Sequence, residues 1–306
     1  MVTTGQLPPA SRTDLSPRGA EADRHHITTV ALRDLAPEPN WPRPVLLDAE
    51  LLILVTGGHG TAELDFRALP CRPGALLRAR AGQVLRCHGP HLDATVVRWG
   101  AKTLRGLDVD PDAVPAYRQL AGEDEDAVIS EVTQLAVDAD RHAGVPAAGA
   151  LLRHQLAVLL LRLALLPAAE QRPTPRLETE TFERLCREVE RGYQHTRRVE
   201  DYAAQLSCSV RTLTRACLAV TGRSAKQVID DRVALQASRL LAATDEPIAR
   251  IGRRLGFPEP TNFGRFFTRE IGVSPGAFRA AQEQPIPFRM VRPRPPADSP
   301  VRPGRA

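Results

Sequence analysis

A degenerate duplication in the last third of the chain constrains the fold more than any other feature of the sequence. Three positions recur 49 residues later: Val199, Ala203 and Leu206 return as Ile248, Gly252 and Leu255. Five positions recur 50 residues later: Leu213, Arg215, Gly222, Ser224 and Val228 return as Phe263, Arg265, Gly272, Ser274 and Phe278. The change of offset places one extra residue in the second turn, at 256–260. Each unit is predicted to be a helix, a tight turn and a second helix.

Local capping signals predict where the helices of the first unit begin and end. A short helix over 199–206 is followed by a turn at 207–209, and Ser209 is a suitable N-cap for a helix over 210–220. Gly222 is a suitable C-terminal stop.

The second unit carries similar signals. Thr244 or Asp245 can cap its first helix, and Pro247 suits a first helical turn. The second helix is predicted over 262–271 and ends at Gly272. Leu213 and Phe263 are expected to face inward, with Cys217 and Phe267 one turn further on.

The stretch between the two units, 225–243, is predicted to be one long helix. In a helix-turn-helix, the first helix and the turn hold the second at a fixed angle, so that its N-terminal side chains reach into a DNA major groove. A rigid connector would hold two such recognition helices about one DNA turn apart, ~34 Å.

The charge distribution agrees with a polyanionic partner for this half. The chain has 41 Lys and Arg against 36 Asp and Glu, a formal net charge of +5. Residues 175–306 hold 23 of these cations and only 15 of the carboxylates. The arginine bias fits phosphate recognition and GC-rich coding equally well, so the charge alone does not decide the function.

The segment DEPIARIGRRLGF at 245–257, followed by NFGRFFTREIGVSPGAFR at 262–279, resembles the DNA-binding domain of AraC/XylS-family transcription regulators, and the resemblance covers about 199–279. The family pattern is roughly I-A-x-x-x-G-F, F-x-R-x-F and G-x-S-P-x-x-F/Y-R. The resemblance implies two helix-turn-helix units reading adjacent major-groove segments, behind an N-terminal domain that is often a cupin-like barrel. The chain departs from the pattern at Cys217, where an aromatic is usual, at Ala225, where proline is common, and at Pro260, which replaces a polar residue.

Carried over position by position, the resemblance assigns DNA contacts to eight residues: Arg211, Thr212, Thr214, Arg215, Thr261, Asn262, Arg265 and Arg269. Four are expected to read bases: Arg211, Thr214, Thr261 and Asn262. Arg215 and Arg265 recur in both units, which favours phosphate contacts over base readout, and Thr212 and Arg269 are expected to touch phosphates. Arg253 and Arg254 are interpreted as a solvated basic face.

The N-terminal half predicts a small barrel or sandwich. Strands are expected at 50–56, 61–67, 75–77, 84–87 and 94–99, with glycine turns between them. Helices are expected at 112–120, at 123–142 and from Pro146 onward.

Five leucines of the last helix, at 152, 156, 159, 163 and 166, share one stripe. The stripe fits packing within the domain. A dimer seam is the alternative, because leucines at 151, 160, 161 and 165 extend the apolar surface.

These patterns predict an α+β chain: a disordered N-terminus (1–26), a cupin-like effector or dimerisation domain (27–166), a linker (167–175), an all-α DNA-binding domain (176–281) and a disordered tail (282–306). The first 25 residues lack an apolar signal-peptide core. The most apolar stretch, 151–166, contains Arg153, His154 and Arg162, so we expect a cytoplasmic protein with no membrane partner.

No catalytic array, metal site or cofactor is expected. His59, His88 and His91 lack the spacing of metal-binding cupins, and the five cysteines form no C-x-x-C pair. The leading hypothesis is a transcription regulator that binds double-stranded promoter DNA and forms a homodimer through the 146–166 helix. A small-molecule effector and RNA polymerase are candidate partners. The alternatives are a cupin-type enzyme with an appended DNA-binding domain, and an architectural DNA-binding protein without an effector.

Overall fold

The computed structural model describes residues 27–35, 41–89, 91–143, 145, 147–166 and 177–283. The predicted N-terminal segment 1–26, the predicted linker and the tail beyond residue 283 lie outside the described residues. So does Pro146, which was expected to open the third helix.

The N-terminal domain is built on two antiparallel sheets. Its strands are β1 (Thr28–Ala31), β2 (Val45–Leu46), β3 (Glu50–Gly57), β4 (Gly60–Leu64), β5 (Arg67–Cys71), β6 (Ala75–Ala79), β7 (Val84–His88), β8 (Asp93–Trp99) and β9 (Tyr117–Gln119). The first sheet has the order β1-β8-β3-β6-β9 and the second β2-β7-β4-β5. The two sheets pack face to face, as the glycine-punctuated pattern predicted.

Strand β3 is buried on both faces, which explains its unbroken apolar run. Leu51, Ile53 and Val55 lie in the core between the two sheets. Leu52 and Leu54 point the other way and pack under two helices, α1 (Glu123–Arg141) and α2 (Ala148–Leu165). The domain therefore has three layers, with the first sheet in the middle.

Helix α2 has one buried and one exposed apolar side. Four leucines of the predicted stripe are buried in the domain: Leu152, Leu156, Leu159 and Leu163. The fifth, Leu166, is partly buried and packs against the same core. Leu160 is buried as well, whereas Leu151, Leu161 and Leu165 are exposed. Within the described part of the chain, α2 alone is long and apolar enough to cross a membrane by length and composition, and its buried side packs in this core instead.

Two predictions of secondary structure in this domain were wrong. The expected strand 61–67 breaks into the hairpin β4–β5, because Asp65 and Phe66 adopt positive φ values of 50° and 66°. The expected helix 112–120 is instead a short 3-10 turn followed by β9. Strand β9 pairs with β6 and forms one edge of the first sheet. The short strands β1 and β2 were not predicted.

The C-terminal domain is all helical. Its helices are α3 (Leu177–Gly192), α4 (Val199–Gln205), α5 (Val210–Thr221), α6 (Ala225–Ala243), α7 (Ile248–Arg254), α8 (Pro260–Ile271) and α9 (Pro275–Gln282). Helix α6 has the predicted bounds and crosses the middle of the domain. Its buried residues Ile229, Val233 and Leu241 share one core with α3, α5, α7 and α8. A capping box between Ser224 and Gln227 fixes its start.

The two domains contact each other through the β4–β5 turn. The Asp65 carboxylate accepts two hydrogen bonds from the Arg239 guanidinium on α6, at 2.8 and 2.6 Å. Both side chains are largely buried. The neighbouring Phe66 ring meets the Phe278 ring of α9 edge to face at 5.6 Å. Arg43 adds a bond of 2.9 Å to Asp245.

The buried cysteines have the chemistry of core residues. Burial raises the pKa of the Cys71 and Cys217 thiols to about 11. Burial also raises the pKa of the Cys87 thiol well above its usual value. Since the thiolate is the reactive form, these protonated thiols are poor nucleophiles.

Candidate nucleic-acid interface

The first helix-turn-helix unit, α4 and α5, forms as its capping signals predicted. The Ser209 hydroxyl accepts the Thr212 backbone N–H at 3.0 Å and starts α5. Gly222 ends the helix with φ +70°. Leu213 and Cys217 are fully buried on its inner side. This anchoring leaves the opposite side of the N-terminal half of α5 facing solvent.

The second unit, α7 and α8, contains the expected longer turn. Residues 255–259 separate its two helices, against 206–209 in the first unit. One prediction was wrong here: Pro247 itself occupies the N-cap position of α7. Thr244 instead ends α6, where its hydroxyl donates to the Leu240 carbonyl at 2.6 Å.

The crossing of α7 and α8 depends on a glycine. A Cβ atom at Gly252 would lie 3.0 Å from both Cβ and Cγ of Phe263. Phe263 and Phe267 are fully buried beneath it, and Gly272 ends α8 with φ +89°. The absence of a side chain at Gly252 therefore sets how closely the supporting helix approaches the recognition helix.

Contacts between the units fix them relative to each other. The Arg197 guanidinium, just before α4, lies 3.6 Å from the centroid of the Phe257 ring in the second turn. On the side of the second unit, Arg279 of α9 donates to the Glu246 carbonyl just before α7, at 2.6 Å. Helix α6 joins the units without a break. With 19 residues it is about 28 Å long, comparable with one turn of B-DNA, ~34 Å.

Five of the eight predicted contact residues present their side chains at the N-terminal ends of α5 and α8, with no side-chain partner among the described residues. Arg211, Thr261, Asn262 and Arg265 are exposed, and Thr214 is half-buried. A helix N-terminus also carries free backbone N–H groups and a partial positive charge, which favour phosphate. The arrangement combines hydrogen-bonding side chains that fit base edges with sites for the flanking backbone.

The other three predicted residues have partners within the protein. The Thr212 hydroxyl lies 2.8 Å from the Ser209 hydroxyl, as part of the α5 cap. Arg215 lies 4.0 Å from Glu178, a long ion pair that leaves its guanidinium accessible. Arg269 donates to Glu270 at 2.7 Å and to the buried Asp230 on α6 at 3.3 Å.

Some residues that shape this face were missed from the sequence. Arg197 lies before the first predicted helix and Asp230 lies inside the predicted connector, and neither carries a local signal for its role because their partners are remote in the chain. Arg253, interpreted as part of a solvated face, is exposed on α7 and has no ion pair among the described residues, whereas Arg254 reaches Glu246 at 3.5 Å.

The described part of the chain holds no cluster of three or more His, Cys, Asp or Glu that could bind a metal ion. His88 lies 4.0 Å from Glu63, and its pKa is lowered by burial and by the nearby Arg86. The positive charge of Arg86 beside His88 disfavours a bound cation at this position.

The C-terminal half of the chain is similar to known proteins. The family model described as "Helix-turn-helix domain" matches residues 202–281. The arabinose operon regulatory protein of Escherichia coli is 42% identical over 57 residues, which cover 19% of each chain. RhaS of Klebsiella pneumoniae, an HTH-type transcriptional activator, is 33% identical over 84 residues, 28% of this chain and 30% of that protein.

Residues 202–281 therefore match a helix-turn-helix domain, and the relatives that share this part of the chain are transcription regulators. A third relative, RhaS of Salmonella paratyphi A, is 28% identical over 213 residues, 64% of this chain and 72% of that protein. The match therefore spans under a third of the first two relatives and over two thirds of the third.

Solved structures resemble the chain at lower sequence identity. ToxT of Vibrio cholerae has a TM-score of 0.43 and 11% identity, over 84% of this chain and 94% of that one. An AraC-type regulator from Chromobacterium violaceum has a TM-score of 0.33 and 22% identity, over 35% of this chain and 95% of that one.

Proposed function

We propose that this chain is an AraC-type transcription regulator that binds promoter DNA through α5 and α8. The observation that carries the proposal is the outward set Arg211, Thr214, Thr261, Asn262 and Arg265, displayed on two helices that one connector holds rigidly. We propose that the protein binds DNA without catalysing a reaction, and that it does so in the cytoplasm.

We assign a role to each residue from the chemistry of its side chain and from whether that side chain is already bonded within the protein. Asn262 offers the amide that pairs bidentately with adenine, and Arg211 the guanidinium that pairs with guanine. Arg265 is assigned to phosphate. Arg269 reaches phosphate only by sharing its guanidinium with Asp230 and Glu270.

The experiment combines genome-wide mapping of bound DNA with binding assays on the operators it finds. Asn262→Ala should lose about 1–3 kcal/mol on operators with one particular base at the contacted position and little on others. Equal loss on every operator would remove Asn262 from base readout. Absence of discrete bound sites in the map would contradict the regulator itself.

We also infer a homodimer through α2. Leu151, Val158, Leu161 and Leu165 are exposed and spaced by seven, three and four residues, the spacing of a coiled-coil seam. This exposed stripe is separate from the buried one, so α2 can pack in its own domain and against a second copy at once. A dimer would suit paired operator sites.

The N-terminal domain is proposed to control DNA binding by favouring one arrangement of the domains when an effector binds. RNA polymerase is the proposed downstream partner at promoters. No observation on the described residues favours the enzyme or the architectural hypothesis. Footprinting with and without metabolites separates an effector-controlled regulator from an architectural protein.

A further inference from the structure

A cleft of about 1160 Å³ opens on the N-terminal domain, away from both recognition helices. Its walls are the start of β1, the loop after β8, the end of α1 and the first turns of α2. It lies outside the core between the two sheets, which is filled by side chains such as Leu51, Ile53 and Val96.

Cations dominate this cleft. Lys102, Arg105 and Arg153 line it, and none of them makes an ion pair within the described part of the chain. Asp140 is the carboxylate in the lining, and His142 is the other titratable group there. Three unpaired cations around one concave surface attract an anion.

Two buried polar groups in the same cleft lack partners. Thr103 is only 4% exposed, yet its hydroxyl has no hydrogen-bond partner in the described structure. The buried Nε of Arg153 is also unpartnered. Buried polar groups nearly always form hydrogen bonds, so two unused donors in one cleft indicate a missing acceptor. An oxyanion is an acceptor of this kind.

The start of α2 adds a third feature. This 18-residue helix has no side-chain cap, and Ala148, Gly149 and Ala150 of its first turn line the cleft. The N–H groups of Ala148 and Ala150 donate to the Val145 and Ala147 carbonyls at 3.0 and 3.2 Å, so the contribution of this helix start is its positive dipole end, which favours a negative charge. Ile27 and Leu152 give the cleft apolar walls beside these donors.

We propose that this cleft binds a small organic anion, a carboxylate or a phosphate carried on an apolar body. The anionic group meets Arg105, Arg153 and the Thr103 hydroxyl, and the body lies on Ile27 and Leu152. Its binding is independent of DNA. Only its identification as the effector site rests on the proposed function, so the two can fail separately.

The test uses the purified full-length chain without DNA and the fluorescent probe 8-anilino-1-naphthalenesulfonate, which is both anionic and aromatic. The wild type should bind the probe at one saturable site. Benzoate and phenyl phosphate compete in separate arms, which distinguishes a carboxylate from a phosphate ligand, and neutral benzyl alcohol is the uncharged control. Displacement by benzyl alcohol as readily as by the anions would overturn the proposal.

Variants locate the site. Arg105→Gln and Arg153→Gln should each weaken probe binding by about tenfold, since each removes a charged donor. The matched control is Arg67→Gln, an exposed arginine on the other sheet, which should bind as the wild type does. Gly149→Phe should block the site, because a Cβ at Gly149 meets no atom within 4 Å. Equal binding by all variants would show that the probe binds elsewhere.

Thr103→Val separates a ligand contact from a structural defect. Removing a buried, unpartnered hydroxyl should raise the thermal midpoint, because that hydroxyl is costly to bury. If it also serves the anion, probe affinity should fall severalfold in the same variant. A raised thermal midpoint with unchanged probe affinity in Thr103→Val would exclude Thr103 from the site. Unchanged probe affinity in the arginine variants as well would refute the proposal that the cleft binds an anion.

Discussion

Arg265 and Arg269 lie one turn apart on α8 and would be indistinguishable in a list of basic residues. Arg265 is exposed and has no partner among the described residues, whereas Arg269 bonds to Asp230 and Glu270 and lies 5.4 Å from the Phe266 ring centroid. A guanidinium already held by carboxylates must give up or share those bonds to reach a phosphate. The two arginines therefore differ in how much of their charge is available to DNA.

Arg265→Ala should weaken binding to all operators and reduce the slope of log affinity against log salt by roughly one, since one phosphate contact releases about one counterion. The protein's stability should not change. Arg269→Ala is the matched comparison: it should lower the thermal midpoint, because Asp230 loses a partner. An unchanged salt slope for Arg265→Ala would assign it to base readout.

Much of the site was predictable at this scale because its signals are local. The Ser209 cap and the two C-terminal glycines are set by residues within a few positions, and the sequence shows them directly. Arg197 over Phe257 and Arg269 with Asp230 were not predictable, because those partners lie 60 and 39 positions apart. The sequence therefore indicates which side chains start the recognition helices, but not which are already engaged.

Among the secondary-structure elements, the clearest contrast is between the helices and the β4–β5 hairpin. The bounds of α4, α5, α6 and α8 were predicted to within two residues from periodicity and caps, whereas α3 and α9 were not predicted. The hairpin was missed because its turn is formed by Asp65 and Phe66, neither of them glycine, in left-handed conformations that non-glycine residues seldom adopt. The pairing of β9 with β6 was missed for a related reason: a three-residue strand has too few residues to show alternation.

Gly252→Val should destabilise the C-terminal domain by about 1–3 kcal/mol, because the added atoms collide with Phe263 in a packed core. Chemical denaturation measures the loss. The same substitution at Gly264 on α8, where a Cβ meets no atom within 4 Å, should leave stability unchanged or slightly raised. Equal losses at both glycines would mean that helix propensity, and not the close crossing, is responsible.

For the whole molecule, the Asp65–Arg239 pair joins the two domains. Both groups are largely buried, so removing one leaves the other charge with fewer partners. Arg239→Met should weaken the docking of the domains. The expected results are an increased radius of gyration in solution scattering and two separate calorimetric transitions.

The control for that variant is Arg232→Met, also on α6. Arg232 bonds to Glu190 of α3 at 2.5 and 2.6 Å, entirely within the C-terminal domain. It should lower the stability of that domain while leaving the radius of gyration unchanged. An unaltered radius in Arg239→Met would show that other contacts, such as Phe66 with Phe278, are sufficient to hold the domains together.

The proposed dimer makes a separate prediction. Leu161→Asp places a charge in the centre of the exposed stripe of α2 and should shift the sedimentation behaviour from dimer to monomer. Leu218→Asp, at an equally exposed leucine on α5, should leave the oligomeric state as it is. A wild-type chain that sediments as a monomer at micromolar concentration would contradict the α2 seam.

The continuity of α6 has a consequence for how such a protein can change over generations. Point substitutions along the exposed side of this rod leave the two DNA-facing helices in phase. A single inserted or deleted residue would rotate one of them by about 100° about the rod's axis relative to the other. Substitutions at the N-terminal ends of α5 and α8 can therefore change which operator sequence is bound. Inserting or deleting one residue in α6 cannot simply change the distance between the bases that the two helices contact, because it also rotates one helix relative to the other.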